Sequence, residues 1–209
     1  CMRILFSIII TTLTVLYGLY TNAQTFHNEE EVIVDCNYSF EESISGIDIP
    51  KAIKKNLVLL NVEYYSFDSK LHRGQIVLHK NAEKDIKEIF EIIKIIKFPV
   101  SKVFPIVKYK WSDEDSMNDN NTSAFNYRKV KGQKILSAHS YGLAIDINPE
   151  QNPHIKRNIV QPANGKYDIN SAGTILKNSR IVQEFKKRGW QWGGTWRSSK
   201  DYQHFEKKN

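Results

Sequence analysis

Residues 137–149 read SAHSYGLAIDINP, and this stretch decides how the rest of the chain is understood. His139 and Asp146 stand seven positions apart with Tyr141-Gly142 between them. A helix would return both to one face two turns apart, whereas a strand would put an odd separation on opposite faces. The Tyr-Gly pair argues for a turn instead. His139 is therefore expected at the end of a loop, Asp146 on the strand that follows over 143–147, and both side chains directed at one point.

The partner of this stretch is DYQHFE at 201–206, near the C-terminus, which contributes His204 on a second short strand over 203–206. Two imidazoles and one carboxylate form a nitrogen and oxygen donor set that suits zinc, and three protein ligands leave a fourth position for a reactive water. That is the pattern of a catalytic metal rather than a structural one, with one zinc per chain. Asp201 precedes His204 by three residues and is placed to take a proton from such a water. The other histidines, His27, His72, His79 and His154, are read one by one as structural.

Between the N-terminus and this core the pattern is mixed. Residues 57–67 are rich in Val, Leu and Tyr and are predicted as a strand, 75–79 as another, with the turn-like Asp68-Ser69-Lys70 between them. Ile86, Ile89, Phe90, Ile93 and Ile96 recur at helical spacing, so 82–97 is predicted as a helix with one face on a core. Phe98-Pro99 ends it, 103–111 is predicted as a further strand, and 112–121 as a polar loop. A second helix is predicted over 175–188, with Ile181, Val182 and Phe185 inward and Gly189 as its C-terminal cap. Strands and helices do not alternate regularly, which favours an α+β class built on a small antiparallel sheet flanked by helices. The sequence shows neither an internal repeat nor a low-complexity segment.

The ends and the composition bound the rest. Arg3, the apolar run 4–17 and Thr21-Asn22-Ala23 read as a secretory signal peptide over 1–23, with an uncleaved N-terminal anchor as the alternative. Residues 24–48, with Glu29-Glu30-Glu31 and Glu41-Glu42, read as a polar leader that packs loosely before a single domain at 49–209. Cys36 is the one cysteine after residue 23, so stability is expected from packing and metal rather than a disulfide. The protein is expected to be exported, to the periplasm or the extracellular space, with no membrane contact beyond its N-terminal segment. The formal charge of +7 favours anionic partners. No base-stacking or groove-reading motif accompanies it, so nucleic acid is not expected.

Four blocks carry a resemblance: SMNDNNTSAFNYR at 116–128, SAHSYGLAIDINP at 137–149, GWQWGGTW at 189–196 and DYQHFE at 201–206. In this order they resemble the zinc D-alanyl-D-alanine carboxypeptidases and L-alanyl-D-glutamate endopeptidases of the bacterial cell wall, over about residues 57–207. The resemblance implies a single-domain fold of the Hedgehog/DD-peptidase type and, as substrate, the peptide stems of peptidoglycan, acted on by a monomer. It puts His139, Asp146 and His204 on the family's zinc ligands and Asp201 on its general base, where many relatives carry Glu; Glu206 is a second carboxylate candidate. Arg128 matches an arginine close to the substrate in relatives, and Ser137 a serine just before the first ligand. Tyr141 is a further substrate-side candidate. Of Trp190, Trp192 and Trp196, Trp192 is the one assigned to the substrate groove. A non-catalytic zinc-containing module of the same fold, kept for cell-wall binding, is the competing expectation.

Overall fold

The computed structural model describes residues 31–208. In chain order it forms β1 (Ile33–Val34), α1 (Phe40–Ser43), α2 (Lys51–Lys54), β2 (Leu57–Tyr65), β3 (Leu71–His79), α3 (Glu83–Ile95), β4 (Lys102–Val103), α4 (Asp113–Asn118) and β5 (Asn121–Thr122). There follow β6 (Ala144–Asp146), β7 (His154–Lys156), β8 (Ile159–Gln161), α5 (Arg180–Lys187), β9 (Trp190–Trp192), β10 (Lys200–Asp201) and β11 (His204–Lys207). The signal-peptide segment 1–23 and the beginning of the 24–48 stretch lie outside the described residues. Among the described residues no helix is long and apolar enough to cross a membrane.

The predicted strands at 57–67 and 75–79 are one long antiparallel hairpin, in register from Leu57 opposite His79 to Tyr65 opposite Leu71. Its turn is made by Asp68, whose Oδ1 accepts the Lys70 N–H at 3.0 Å, and by Ser69 at φ +64°. Alternation along the strands sends Val62, Tyr64, Ile76 and Leu78 into the main core and Leu57 and Val77 into a second cluster on the other face. α3 lies on the first face and buries Ile86, Ile89, Phe90 and Ile93, the stripe predicted from its spacing. Each such side chain stabilises the fold by ~1.5–3 kcal/mol relative to exposure.

The strands near the site form two further sheets. One has the order β6-β11-β9 and the other β10-β7-β8, each antiparallel. α5 covers β9, and Phe185 stacks on Phe205 with ring centroids 3.8 Å apart. The second predicted helix is shorter than its apolar pattern: Ser179 caps it by accepting the Val182 N–H, so it starts at Arg180. Gly189 follows at φ +82°, its N–H bonded to the Lys186 carbonyl.

Three expectations are corrected, the first being the polar loop over 112–121: this stretch carries α4, capped by Ser112, whose Oγ accepts the Asp115 N–H at 3.1 Å. Residues 103–111 do not form a strand beyond Val103: Pro105 opens a 3-10 turn over Ile106–Tyr109, and Lys110 and Trp111 both adopt positive φ, at 51° and 67°. The trigger is Pro105, whose ring fixes φ and removes a ladder donor. The 24–48 stretch does not pack loosely once it reaches Val32, where the chain's main compact unit begins. β1 adds to the hairpin in parallel, opposite His72 and Arg73, while Ile44 and Ile49 fill the second cluster with Leu57, Val77 and Phe125. The acidic character of this stretch conceals these two apolar anchors. The architecture is thus mixed α and β with several small sheets, two of whose strand pairs, β1 with β3 and β4 with β5, are parallel.

Candidate metal centre

His139 lies on a 3-10 turn over Ala138–Tyr141, opened by Ser137, whose Oγ accepts the His139 N–H at 3.3 Å. Gly142 closes the turn at φ +67°, and a Cβ there would lie 2.5 Å from the backbone nitrogen of His79. Only glycine fits this passage against the hairpin, where the His79 N–H donates to the Gly142 carbonyl at 2.9 Å. The loop, glycine turn and strand expected for 139–146 are all present. Asp146 ends β6, and the antiparallel register sets His204 of β11 directly opposite it. Opposed residues of such a pair project to the same face, which is how residues distant in sequence meet.

The three side chains converge. His204 Nδ1 lies 2.9 Å from Asp146 Oδ1, His139 Nε2 lies 3.2 Å from Asp146 Oδ2, and the two ring nitrogens lie 3.2 Å apart. Tetrahedral zinc with bonds of ~2.0–2.1 Å places its ligand atoms about 3.4 Å from one another. The donor set is close to that geometry, and the ring nitrogens that face away are both engaged. His139 Nδ1–H donates to the Ala124 carbonyl at 2.5 Å, and His204 Nε2–H points to Glu206 Oε2 at 3.4 Å. Fixing one nitrogen of each imidazole in this way leaves the other free to ligate. Among the described residues this is the cluster of three that could hold a metal ion, and its chemistry fits zinc.

Electrostatics agree with a cation site. Burial works against ionisation of Asp146, but the charge of His139 and the hydrogen bonds from both imidazoles outweigh it and hold the carboxyl below its usual range. For His204, burial lowers the pKa, yet the bonds to Asp146 and Glu206 push it up to about 10.

Asp201 stands on β10, three residues before His204. Gly193 makes room for it, since a Cβ there would lie 2.6 Å from the Asp201 carbonyl oxygen. The residue is half-buried, while its Oδ1 is sealed from solvent and has no hydrogen-bond partner. Burial raises its pKa first of all; His204 pulls it down and Asp146 pushes it up, with a net rise.

The remaining candidates sort by position. Ser140 Oγ ties Arg128 to the His139 turn, accepting the Arg128 N–H at 2.9 Å and donating to its carbonyl at 2.5 Å. The guanidinium Nε of Arg128 lies 3.0 Å from Asp113 Oδ1, an ion pair lacking the angle of a hydrogen bond. Ser137 is buried and spends its hydroxyl on capping, and Tyr141 is exposed at the end of the turn. Trp192 does not line a groove: it is 2% exposed, and its indole N–H donates to the Tyr202 carbonyl inside the core. Alternation on β9 buries both Trp190 and Trp192, and the tryptophan at the site is Trp196, half-buried with its ring 5.3 Å from that of His204. Glu206 serves the outer face of His204, two residues along the same strand, and the Ala124 carbonyl is a partner no side-chain pattern could have revealed.

Comparison with known families gives a match over residues 131–207, to the model of the D-alanyl-D-alanine carboxypeptidases. The matched segment contains His139, Asp146, Asp201 and His204; Arg128 falls before it. No solved structure matches the chain. The resemblance read from the sequence and the family match coincide on the residues that converge in space, and over residues 131–207 the chain is similar to the D-alanyl-D-alanine carboxypeptidases.

Proposed function

We propose that this protein is an exported zinc metallopeptidase of the Hedgehog/DD-peptidase fold type that hydrolyses peptide stems of bacterial peptidoglycan, at a D-Ala-D-Ala end or at the L-Ala-D-Glu bond. The observation that carries this reading is the convergence of His139, Asp146 and His204 next to a carboxylate, Asp201, whose sealed oxygen has no partner in the chain. A zinc ion held by the three ligands supplies Lewis acidity, polarising the scissile carbonyl and lowering the pKa of water to ~7.

The chain's own residues do the rest. Asp146 brings the negative charge to the ligand set, and the Ala124 carbonyl and Glu206 hold the two imidazoles in their ligating orientation. Asp201 takes the proton of the attacking water and returns it to the leaving amine. Its Oδ1 has no hydrogen-bond partner in the chain, so this oxygen is available to the water's proton. Arg128, anchored through Ser140 to the turn that carries His139, offsets negative charge on the tetrahedral intermediate or holds a substrate carboxylate. The +7 net charge favours approach to an anionic cell wall.

Mass spectrometry of intact muropeptides after incubation with the zinc-loaded protein tests the reading. The expected result is loss of a fragment whose mass names one of the two bonds, abolished by a chelator and restored by zinc. Tight muropeptide binding without any product would favour the non-catalytic wall-binding module.

A further inference from the structure

The sheet β10-β7-β8 carries a row of polar side chains not used above. Asp201 on β10 lies directly opposite His154 on β7, and His154 lies directly opposite Gln161 on β8. Directly opposed residues of antiparallel strands share a face with Cβ atoms ~4.5–5.5 Å apart. Asp201, His154 and Gln161 therefore form one line across three strands, starting at the carboxylate assigned as base. All three are half-buried. Among the described residues, neither the His154 ring nor the Gln161 amide makes a hydrogen bond within the chain. The neighbouring register row, Lys200, Ile155 and Val160, faces the other way, and the Lys200 ammonium is taken up by the Trp196 carbonyl at 2.7 Å. Partly buried polar groups without internal partners are satisfied by water or by a ligand.

The direction of the reaction decides which part of a substrate meets this row. A base that collects the proton of water delivers it to the leaving amine, so the leaving residue lies on the Asp201 side of the scissile bond, where His154 comes next. We infer that His154, with Gln161 beyond it, forms the subsite of the leaving residue and binds the carboxylate on that residue's α-carbon, an inference that rests on the peptidase reading above. Both candidate bonds release such a residue. D-Alanine leaves a D-Ala-D-Ala end with its carboxylate free, and a D-glutamate linked onward through its γ-carboxyl keeps a free α-carboxylate. An imidazole N–H and an amide N–H in line give that carboxylate two donors, one of them charge-assisted when the ring is protonated. The electrostatic influence of His154 on Asp201 links the subsite to the base.

The test uses the full zinc-loaded chain and stem peptides of both bond types, each with the leaving residue's α-carboxylate free or converted to its primary amide. Wild-type protein is expected to prefer the free acid by roughly tenfold or more in kcat/KM. His154→Ala should bring the two within about twofold, chiefly through KM, with bound zinc unchanged; His154→Gln should keep part of the preference and Gln161→Ala should lose part of it. Should His154→Ala fail to fold, the Gln161→Ala and His154→Gln variants supply the same comparison. An undiminished preference for the acid in the variants, or an equal loss against acid and amide, overturns the inference while leaving the peptidase reading intact. Failure of the wild-type protein to cleave any of the peptides overturns both.

Discussion

Glu206 and His204 lie two residues apart on β11, with Glu206 Oε2 3.4 Å from His204 Nε2, on the ring edge away from Asp146. Positions i and i+2 of a strand share a face, so the motif HFE brings its own carboxylate to the back of its imidazole. Glu206→Ala is expected to weaken zinc affinity by ~10–100-fold, read by competition with a chromophoric chelator. Glu206→Gln retains an acceptor and should lose less; equal losses in the two variants would contradict the orienting role.

Asp201 offers an opposition between stability and activity. Its folded-state pKa is raised above the ordinary 3.8, so ionised Asp201 is disfavoured in the folded state. Its contribution to stability is full below pH 3.8 and is lost as pH rises through the folded value, leaving a cost at neutral pH. Asp201→Asn should therefore raise the Tm of the chelator-treated protein at neutral pH while lowering kcat by ~10²–10⁴-fold. Calorimetry and muropeptide turnover check the two halves, and an active variant would remove Asp201 from its role.

At the N-terminal edge, His72 Nδ1 meets Asp35 Oδ1 at 2.8 Å and His72 Nε2 meets Asp68 Oδ2 at 3.3 Å, while Tyr64 donates its hydroxyl to the other oxygen of Asp35. Burial lowers the His72 pKa, but the two carboxylates outweigh it and raise the value above 6.5. A raised folded pKa gives stability that is complete below 6.5 and fades as pH climbs through the folded value. Hydrogen-exchange protection of Ile33–Val34 is expected to drop as pH rises above 6.5 and to lose that dependence in His72→Gln.

Gly142→Ala combines a positive φ with a Cβ 2.5 Å from the His79 nitrogen. The backbone term alone costs ~1–2 kcal/mol, and the clash adds to it. Denaturant unfolding should show at least that loss. Because the same turn carries His139, zinc affinity should fall with it.

Much of this is legible in the sequence, for identifiable reasons. The α3 stripe and the hairpin strands are carried by strong periodicity, and the His139-Gly142-Asp146 geometry by one turn between two ligand types. Ile44 and Ile49 were hidden because acidic neighbours outweigh two apolar side chains in any reading of composition. Trp192 was misplaced because WQWGGTW does not say which tryptophan the glycines leave at the surface; alternation on β9 buries Trp190 and Trp192 and leaves Trp196 beside His204. The pairing of His154 with Asp201 depends on a register between strands about 45 residues apart, which no local pattern encodes.

The most direct measurement is zinc stoichiometry by elemental analysis after equilibrium dialysis, on wild type and on His139→Ala, Asp146→Ala and His204→Ala. One zinc per wild-type chain is expected, with a loss of binding in each variant that remains folded. A wild-type chain that takes up no zinc, or folded variants that hold it as tightly, would contradict the metal centre on which the proposed chemistry depends.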